Sequence, residues 1–282
     1  MLPRLGALME LPAHAPLRAD EHPKQLGPYR IVERLGSGGQ AFVYRARRDD
    51  DDGGGDVALK RLHPQLADDE RELRAFAREA RLAYLVDHPA IRRVHAIRRE
   101  GADAYLVMEY VEGVSLKEVL KRAHAGRRRL PLAGVVAALH ELCRALHYAH
   151  ELVDELGAPA GIVHRDVSPS NVIVTRGGRL TLIDLGIARS QAEELATDSG
   201  KIKGKYGYMA PEVLAGGPFD RKADVFSIGV VAWELVTTQK LYPVVHRPLD
   251  LERVRSRVIE PPSRLHPACS PALDAVILRA LA

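Results

Sequence analysis

The sequence predicts an α+β fold of two lobes, a small β-rich one followed by a larger helical one, with a cleft between them. Three observations carry that expectation. Between Tyr29 and Val111 the apolar residues come in short β-type runs broken by glycine, with one helical stretch among them. After Gly113 the runs lengthen and take a helical period. Within that helical half, "HRDVSPSN" (164–171) is a loop that sets Asp166 five residues before Asn171.

Taken in order, the first residues, "MLPRLGALMELPAHAPLRAD", contain three prolines and no compact apolar core of signal-peptide length. Residues 1–27 are therefore expected to be a disordered leader, with the folded chain over 28–282. The β-rich lobe is expected over about 28–109 and the helical lobe over about 114–282. "YRIVERLG", "AFVYRARR" and "DVALKRL" read as strands, the first two joined by "GSGG". The acidic run Asp49–Asp56 before the third is read as a solvated hairpin tip, with a cation site as the alternative. Asp68–Val86 has helical periodicity and an aspartate-rich start. Two further strands follow around Gly101, then the helical runs "SLKEVLKRAHA" and "LAGVVAALHELCRALHYAHELV". Between those helices, Gly126–Leu130 is a solvated basic loop or a grip for an acidic or phosphorylated partner. "VIV" (172–174) and "LTLID" (180–184), joined at Gly177 and Gly178, form a hairpin that brings Asp184 near Asp166 and Asn171.

With 282 residues, 46% of them hydrophobic, the chain can bury a large core. A net charge of +4 against 41 basic and 37 acidic residues describes an ordinary surface and gives no argument for nucleic acid. Cys143 and Cys269 give no disulfide framework; free buried thiols fit a reducing cytoplasm. Val225–Val236, the most apolar stretch, is interrupted by Glu234 and is too short for a membrane span.

The candidate site residues share one chemistry. Glycines between two strands let backbone amides approach a phosphate. Lys60 shares a strand face with Ala58, and Glu79, between small residues on the following helix, is placed to pair with it. Two carboxylates, Asp166 and Asp184, and the amide of Asn171 come together at the loop and its hairpin, a set that offers hard oxygens.

These motifs, in this order, resemble the catalytic domain of eukaryotic-type serine/threonine protein kinases, the bacterial ones in particular. The resemblance runs from about Tyr29 to the C-terminus and implies a protein-kinase-like fold with an ATP cleft between the lobes. It implies ATP and Mg²⁺, with Mn²⁺ as an alternative, and a protein substrate bearing Ser or Thr. Leu35, Gly36, Ser37, Gly38, Gly39, Gln40, Ala41 and Val43 would cover the nucleotide, with Ala58 beside them. Lys60 would hold the α- and β-phosphates and Glu79 would hold Lys60. Met108, Glu109 and Val111 in "MEYVEG" resemble the hinge that binds the adenine edge through backbone groups. Asp166 would be the catalytic acid–base group, with Asn171 and Asp184 the metal ligands. "APE" is Ala210–Glu212, and the helix beginning at Asp224 resembles the one that anchors the catalytic loop. Ala83, Val94, Leu185 and His164 would form the internal stack. Arg165 resembles the residue that, in such kinases, pairs with a phosphate on the activation loop, here at Thr197 or Ser199.

The chain departs from the family pattern at four places. Ala41 stands for a third glycine, and Leu185 for the usual phenylalanine. The chain stops at "VILRALA", where the family continues into a last helix whose arginine pairs with Glu212; a truncated chain, a fragment or a partner covering the gap would each account for it. Ser168 stands for a lysine and Lys205 for a threonine, so the two functional groups are expected to have exchanged places. The competing functions are a pseudokinase that acts as a nucleotide-binding scaffold and a small-molecule phosphotransferase. The presence of Lys60, Glu79, Asp166, Asn171 and Asp184 weighs against the first, and the long segment from Asp184 to Glu212 against the second.

Overall fold

The structure, a computed structural model, describes residues 23–49, 55–154, 156–185, 206–243, 251–255 and 257–282. It divides into two compact units. The first holds the residues up to Tyr84 together with Arg93–Tyr110; the second holds Leu85–Arg92 together with Val111–Ala282.

The first unit is built on an antiparallel sheet of β1 (Gln25–Leu26), β2 (Tyr29–Ser37), β3 (Ala41–Arg48), β4 (Val57–Leu62), β5 (Val94–Glu100) and β6 (Asp103–Glu109). The spatial order is β1-β2-β3-β4-β6-β5. Alternation in these strands sends Leu26, Tyr29, Tyr44, Ala46, Leu59, Tyr105 and Val107 into one buried cluster. Arg61, on β4, is buried too and is neutralised by Asp103 at 2.7 Å. Two helices follow β4: the single turn α1 (Pro64–Ala67) and the longer α2 (Glu70–Leu85). Asp69 Oδ1 accepts the N–H groups of Arg71 at 2.8 Å and Glu72 at 3.4 Å, which is why α2 starts where it does.

Two boundaries differ from the sequence expectation. Residues before 28 take part in the fold, because Gln25 pairs with Arg30 and Leu26 with Tyr29, and Leu26 is buried; Gly27 turns between them at φ +52°. Residues 1–22, the rest of the expected leader, lie outside the described residues, as do residues 50–54 of the acidic run. Leu85–Arg92, expected in the β-rich lobe, belongs instead to the helical unit. The cause is backbone bonding to a strand of that unit: Leu182 donates to the Ala90 carbonyl at 2.8 Å and Arg92 donates to the Leu182 carbonyl at 2.9 Å.

The second unit contains a three-stranded sheet, β7 (Val114–Ser115), β8 (Val172–Val174) and β9 (Leu180–Leu182), and the helices α3 (Leu116–Ala125), α4 (Leu132–His150), α5 (Pro211–Leu214), α6 (Lys222–Thr237), α7 (Leu251–Arg255) and α8 (Pro271–Ala280). Ser115 caps α3 by accepting from the Glu118 N–H at 3.2 Å, and Ser270 caps α8 with Pro271 in its first turn. Helix α6 is apolar nearly all round, as a core helix must be. At Gly229 it runs so close to the end of α8 that a Cβ would lie 3.0 Å from Ala280 and 3.1 Å from Leu281. Glu234, the charge that breaks this apolar run, is buried and held: Tyr208 donates to its Oε2 at 2.7 Å and Lys240 approaches at 2.9 Å. Burial, with the Glu234 carboxylate alongside, raises the Tyr208 phenol well above its ordinary value and keeps it a donor. Cys269 is buried as expected; Cys143 is exposed, because its place in the helical period falls on the outer side of α4 between buried Leu142 and Ala145. Among the described residues no helix is long and apolar enough to cross a membrane.

Asp224, in the first turn of α6, is fully buried and accepts from the His164 N–H at 2.8 Å and the Arg165 N–H at 2.9 Å. His150 Nε2, from the end of α4, meets the same carboxylate at 2.8 Å. Asp224→Ala would strand two buried backbone donors, each costing about 1–3 kcal/mol. We expect urea unfolding to show a loss of about 2–4 kcal/mol. Asp224→Asn, which keeps the shape and one acceptor, is expected to lose less than Asp224→Ala in the same measurement.

Candidate active site

In the β-rich unit the strand register does the placing. Val43 lies opposite Gly36 on one side and Lys60 on the other, and Ala58 lies opposite Met108. Lys60 Nζ donates to Glu79 Oε1 at 2.7 Å, the carboxylate buried and the lysine 18% exposed. A strand lysine that would otherwise wander in solvent is thus a fixed cation.

The glycine turn closes by a bond from the Gly38 N–H to the Ala41 carbonyl at 2.8 Å. A Cβ at Gly36 would meet nothing within 4 Å, and one at Gly38 only the Ala41 oxygen at 3.7 Å. The backbone therefore borders open space that side chains would fill. Leu35 is exposed beside it, and Gln40 reaches Glu72 at 3.3 Å. Ala41, where a third glycine was expected, is buried at the start of β3 opposite Leu62, so its methyl packs into the sheet. At the end of β6, Met108 is buried and the Glu109 N–H is already donated to the Arg93 carbonyl at 2.9 Å. Val111 begins the longer of the two stretches that make up the second unit.

In the helical unit, Asn171 is buried and its Nδ2 donates twice, to the Asp166 carbonyl and to Asp166 Oδ2, both at 2.8 Å. One amide thus fixes both the backbone and the carboxylate of Asp166. The Asn171 carbonyl accepts from the Ile183 N–H at 2.7 Å, which sets Asp184 one residue further on. Arg165 and Asp184 both sit in the left-handed region, at φ +64° and +59°. Such backbone is costly for residues with a side chain and persists only where neighbours enforce it. Arg165 also lies over the Phe219 ring at 4.8 Å. Ala83, Val94, Leu185 and His164 are each buried within their own units.

The donor set fits a divalent metal with hard oxygen ligands. With both hydrogens of its amide on Asp166, Asn171 has Oδ1 left as a ligand, and Asp184 adds a carboxylate that is 34% exposed. Among the described residues no three His, Cys, Asp or Glu side chains cluster, so a metal here would complete its shell with phosphate and water, as Mg²⁺ usually does.

Ser168 is buried, and its hydroxyl meets that of Ser170 at 2.9 Å rather than Asp166. Lys205, its expected counterpart, lies outside the described residues, as do Gly186, Thr197 and Ser199. Glu212 has no ion-pair partner among the described residues. The sequence reading missed two contributors. It singled out neither His150, whose Nε2 meets Asp224 at 2.8 Å, nor Arg92, whose Nη2 donates to Asp184 Oδ1 at 2.7 Å.

The family model of the protein kinase domain matches residues 29–270. The tyrosine-protein kinase MasK of Myxococcus xanthus is 35% identical over 257 residues, which make up 91% of this chain and 40% of that protein. The serine/threonine-protein kinase PknB of Mycolicibacterium smegmatis is 35% identical over 266 residues, 90% of this chain and 39% of that protein. The chain thus spans about two fifths of the length of the curated relatives it matches. The crystal structure of the Mycobacterium tuberculosis PknI kinase domain superimposes with a TM-score of 0.64 at 30% identity, covering 95% of this chain and 92% of that one. The lysine–glutamate pair in one unit, the pinned aspartate in the other and a match that runs through both have one reading: the chain belongs to the protein kinase domain family.

Proposed function

We propose that this chain is an ATP-dependent serine/threonine protein kinase acting in the cytoplasmic signalling of a bacterium, transferring the γ-phosphate of ATP to protein Ser or Thr hydroxyls. The observation that carries the reading is the pair of hydrogen bonds that Asn171 Nδ2 donates to Asp166, 2.8 Å to the backbone carbonyl and 2.8 Å to the carboxylate. It holds a carboxylate ready to orient a hydroxyl and take its proton, which is the small share of the chemistry that phosphoryl transfer asks of a side chain. Lys60, steadied by Glu79, holds the α- and β-phosphates. Asn171 and Asp184 hold Mg²⁺, or Mn²⁺ in its place, which supplies the charge that neutralises the phosphates. The glycine turn covers the nucleotide and the backbone of Glu109 and Val111 faces the adenine edge.

A reading of tyrosine specificity rests on one observation, the name of the Myxococcus relative. Against it, the catalytic loop "HRDVSPSN" lacks the arginine-alanine pattern of tyrosine kinases. For Ser168 and Lys205 we keep the exchange as a proposal: an ammonium from the activation segment stands in for a catalytic-loop lysine, since charge on the phosphoryl oxygens responds to a cation's position more than to its origin in the chain.

Transfer from radiolabelled ATP to a generic protein substrate tests the core assignment. Lys60→Met and Asp184→Ala are each expected to lower the rate at least about a hundredfold, the scale of a lost electrostatic contact, with the circular dichroism spectrum unchanged. Near wild-type turnover in either variant rejects the site. Acid hydrolysis of the product is expected to release phosphoserine and phosphothreonine; phosphotyrosine alone moves the assignment to the second reading. Mass spectrometry of the same incubation is expected to find phosphate at Thr197 or Ser199, where it can pair with Arg165. A double-mutant cycle tests the exchange. Lys205→Ala should cost activity heavily, and Ser168→Lys combined with Lys205→Thr should recover much of it; a silent Lys205→Ala refutes the idea.

A further inference from the structure

Arg92 stands where an arginine is expensive. Its backbone is locked against β9, donating to the Leu182 carbonyl at 2.9 Å, with Ile91 bridging Leu182 in parallel. Its side chain is only 8% exposed. A guanidinium cannot shed its charge, so a buried one needs an anion held against it. Among the described residues that anion is Asp184, with Nη2 of Arg92 at 2.7 Å from Oδ1. Asp184 is also the carboxylate assigned to the metal, and at φ +59° its backbone has little freedom to turn it elsewhere.

One carboxylate therefore faces two cations, one of them built into the fold. We infer that Arg92 is a positioning residue that occupies one oxygen of Asp184, presents the other to the divalent metal, and weakens the metal's hold on the site. The inference rests on the proposed role of Asp184 as a metal ligand. The guanidinium has two consequences of opposite sign. It holds the carboxylate in one orientation before any metal arrives, which favours fast and correctly placed binding. It also lowers the negative charge that the metal meets, so the metal is bound less tightly than the donor set alone would allow. The second effect is the larger at equilibrium, because the backbone that carries Asp184 is already held without Arg92: Ile183 donates to the Asn171 carbonyl at 2.7 Å and Asp184 itself sits at φ +59°. A kinase so arranged would load its metal together with the nucleotide, whose phosphates add the missing negative charge, rather than hold it between turnovers.

The expected size follows from the proton, the simplest cation a carboxylate binds. A neighbouring arginine lowers an aspartate's proton affinity by about one to three factors of ten. Removing the Arg92 charge should tighten metal binding by about tenfold, the lower end of that range.

The test titrates Mn²⁺ into the protein in the presence of a non-hydrolysable ATP analogue and reads free Mn²⁺ by electron paramagnetic resonance. Arg92→Met, which keeps most of the stem, and Arg92→Gln, which keeps a donor without the charge, should both bind Mn²⁺ about tenfold more tightly than the unchanged protein. Arg92→Lys should stay close to it. Affinity for the analogue without metal should be the same in all of them, which a general loosening of the fold would not allow. A thermal melt identifies any variant that fails to fold, and the result is then read from the other neutral variant. Mn²⁺ affinity that is unchanged or weaker in the folded neutral variants overturns the inference. Asp184→Ala serves as the reference: its binding should fall at least tenfold, and if it does not, Asp184 is no ligand and the proposed site fails with it. If Asp184→Ala weakens binding while the Arg92 variants do not change it, only the role of Arg92 falls.

Discussion

A single buried carboxylate organises the helical unit. Asp224 has no solvent exposure and takes three donors, the backbone N–H groups of His164 and Arg165 and the ring of His150. Without them its charge would be untenable in that position; without it, two backbone donors would be buried and unmet. The mutual requirement forces the loop before Asp166 into one conformation, including the left-handed Arg165. From there the constraint passes along the chain. Asn171 ties itself to Asp166, Ile183 ties β9 to Asn171, and Asp184 follows. The strain at Arg165 and Asp184 is sustained by this relay of short hydrogen bonds rather than by packing alone.

The β-rich unit uses the same principle with fewer parts. Its sheet would form from alternation and its buried cluster of tyrosines and aliphatics in any case. What makes it chemically specific is a charge on each of two elements: Lys60 on β4 and Glu79 on α2, joined at 2.7 Å. Elsewhere charges that enter the interior are matched in the same way, Arg61 by Asp103 and Glu234 by Tyr208 and Lys240. The last case explains an oddity of composition. Glu234 interrupts the apolar run after Asp224 because it ties that helix to the segment just before "APE".

Most elements were legible in the sequence, because each follows from local periodicity. The strands on either side of the glycine turn, the helix carrying Glu79 and the hairpin of β8 and β9 lie where alternation or a helical period places them. The misjudged features were those that depend on a distant partner. Gln25–Leu26 is too short to read as a strand until β2 is there to pair with it. Cys143 was placed inside because its helix is rich in apolar residues, yet only one side of that helix is covered. Leu85–Arg92 follows a helix of one unit in sequence and is bonded to a strand of the other.

The sequence by itself determined the inventory and the order: a glycine turn, a strand lysine, a helix glutamate, a loop aspartate and asparagine, and a hairpin aspartate, each on an element whose type follows from its own neighbours. That order is what the proposed chemistry asks for, since phosphoryl transfer needs particular groups more than a particular scaffold. Only the tertiary structure decided which charges meet. It turned Ser168 toward Ser170, put His150 on Asp224, and laid Arg92 against Asp184. The reason is one of range. Periodicity is a property of about ten neighbouring residues, whereas Arg92 and Asp184 are 92 positions apart and meet only because β9 and the chain before β5 are hydrogen-bonded side by side.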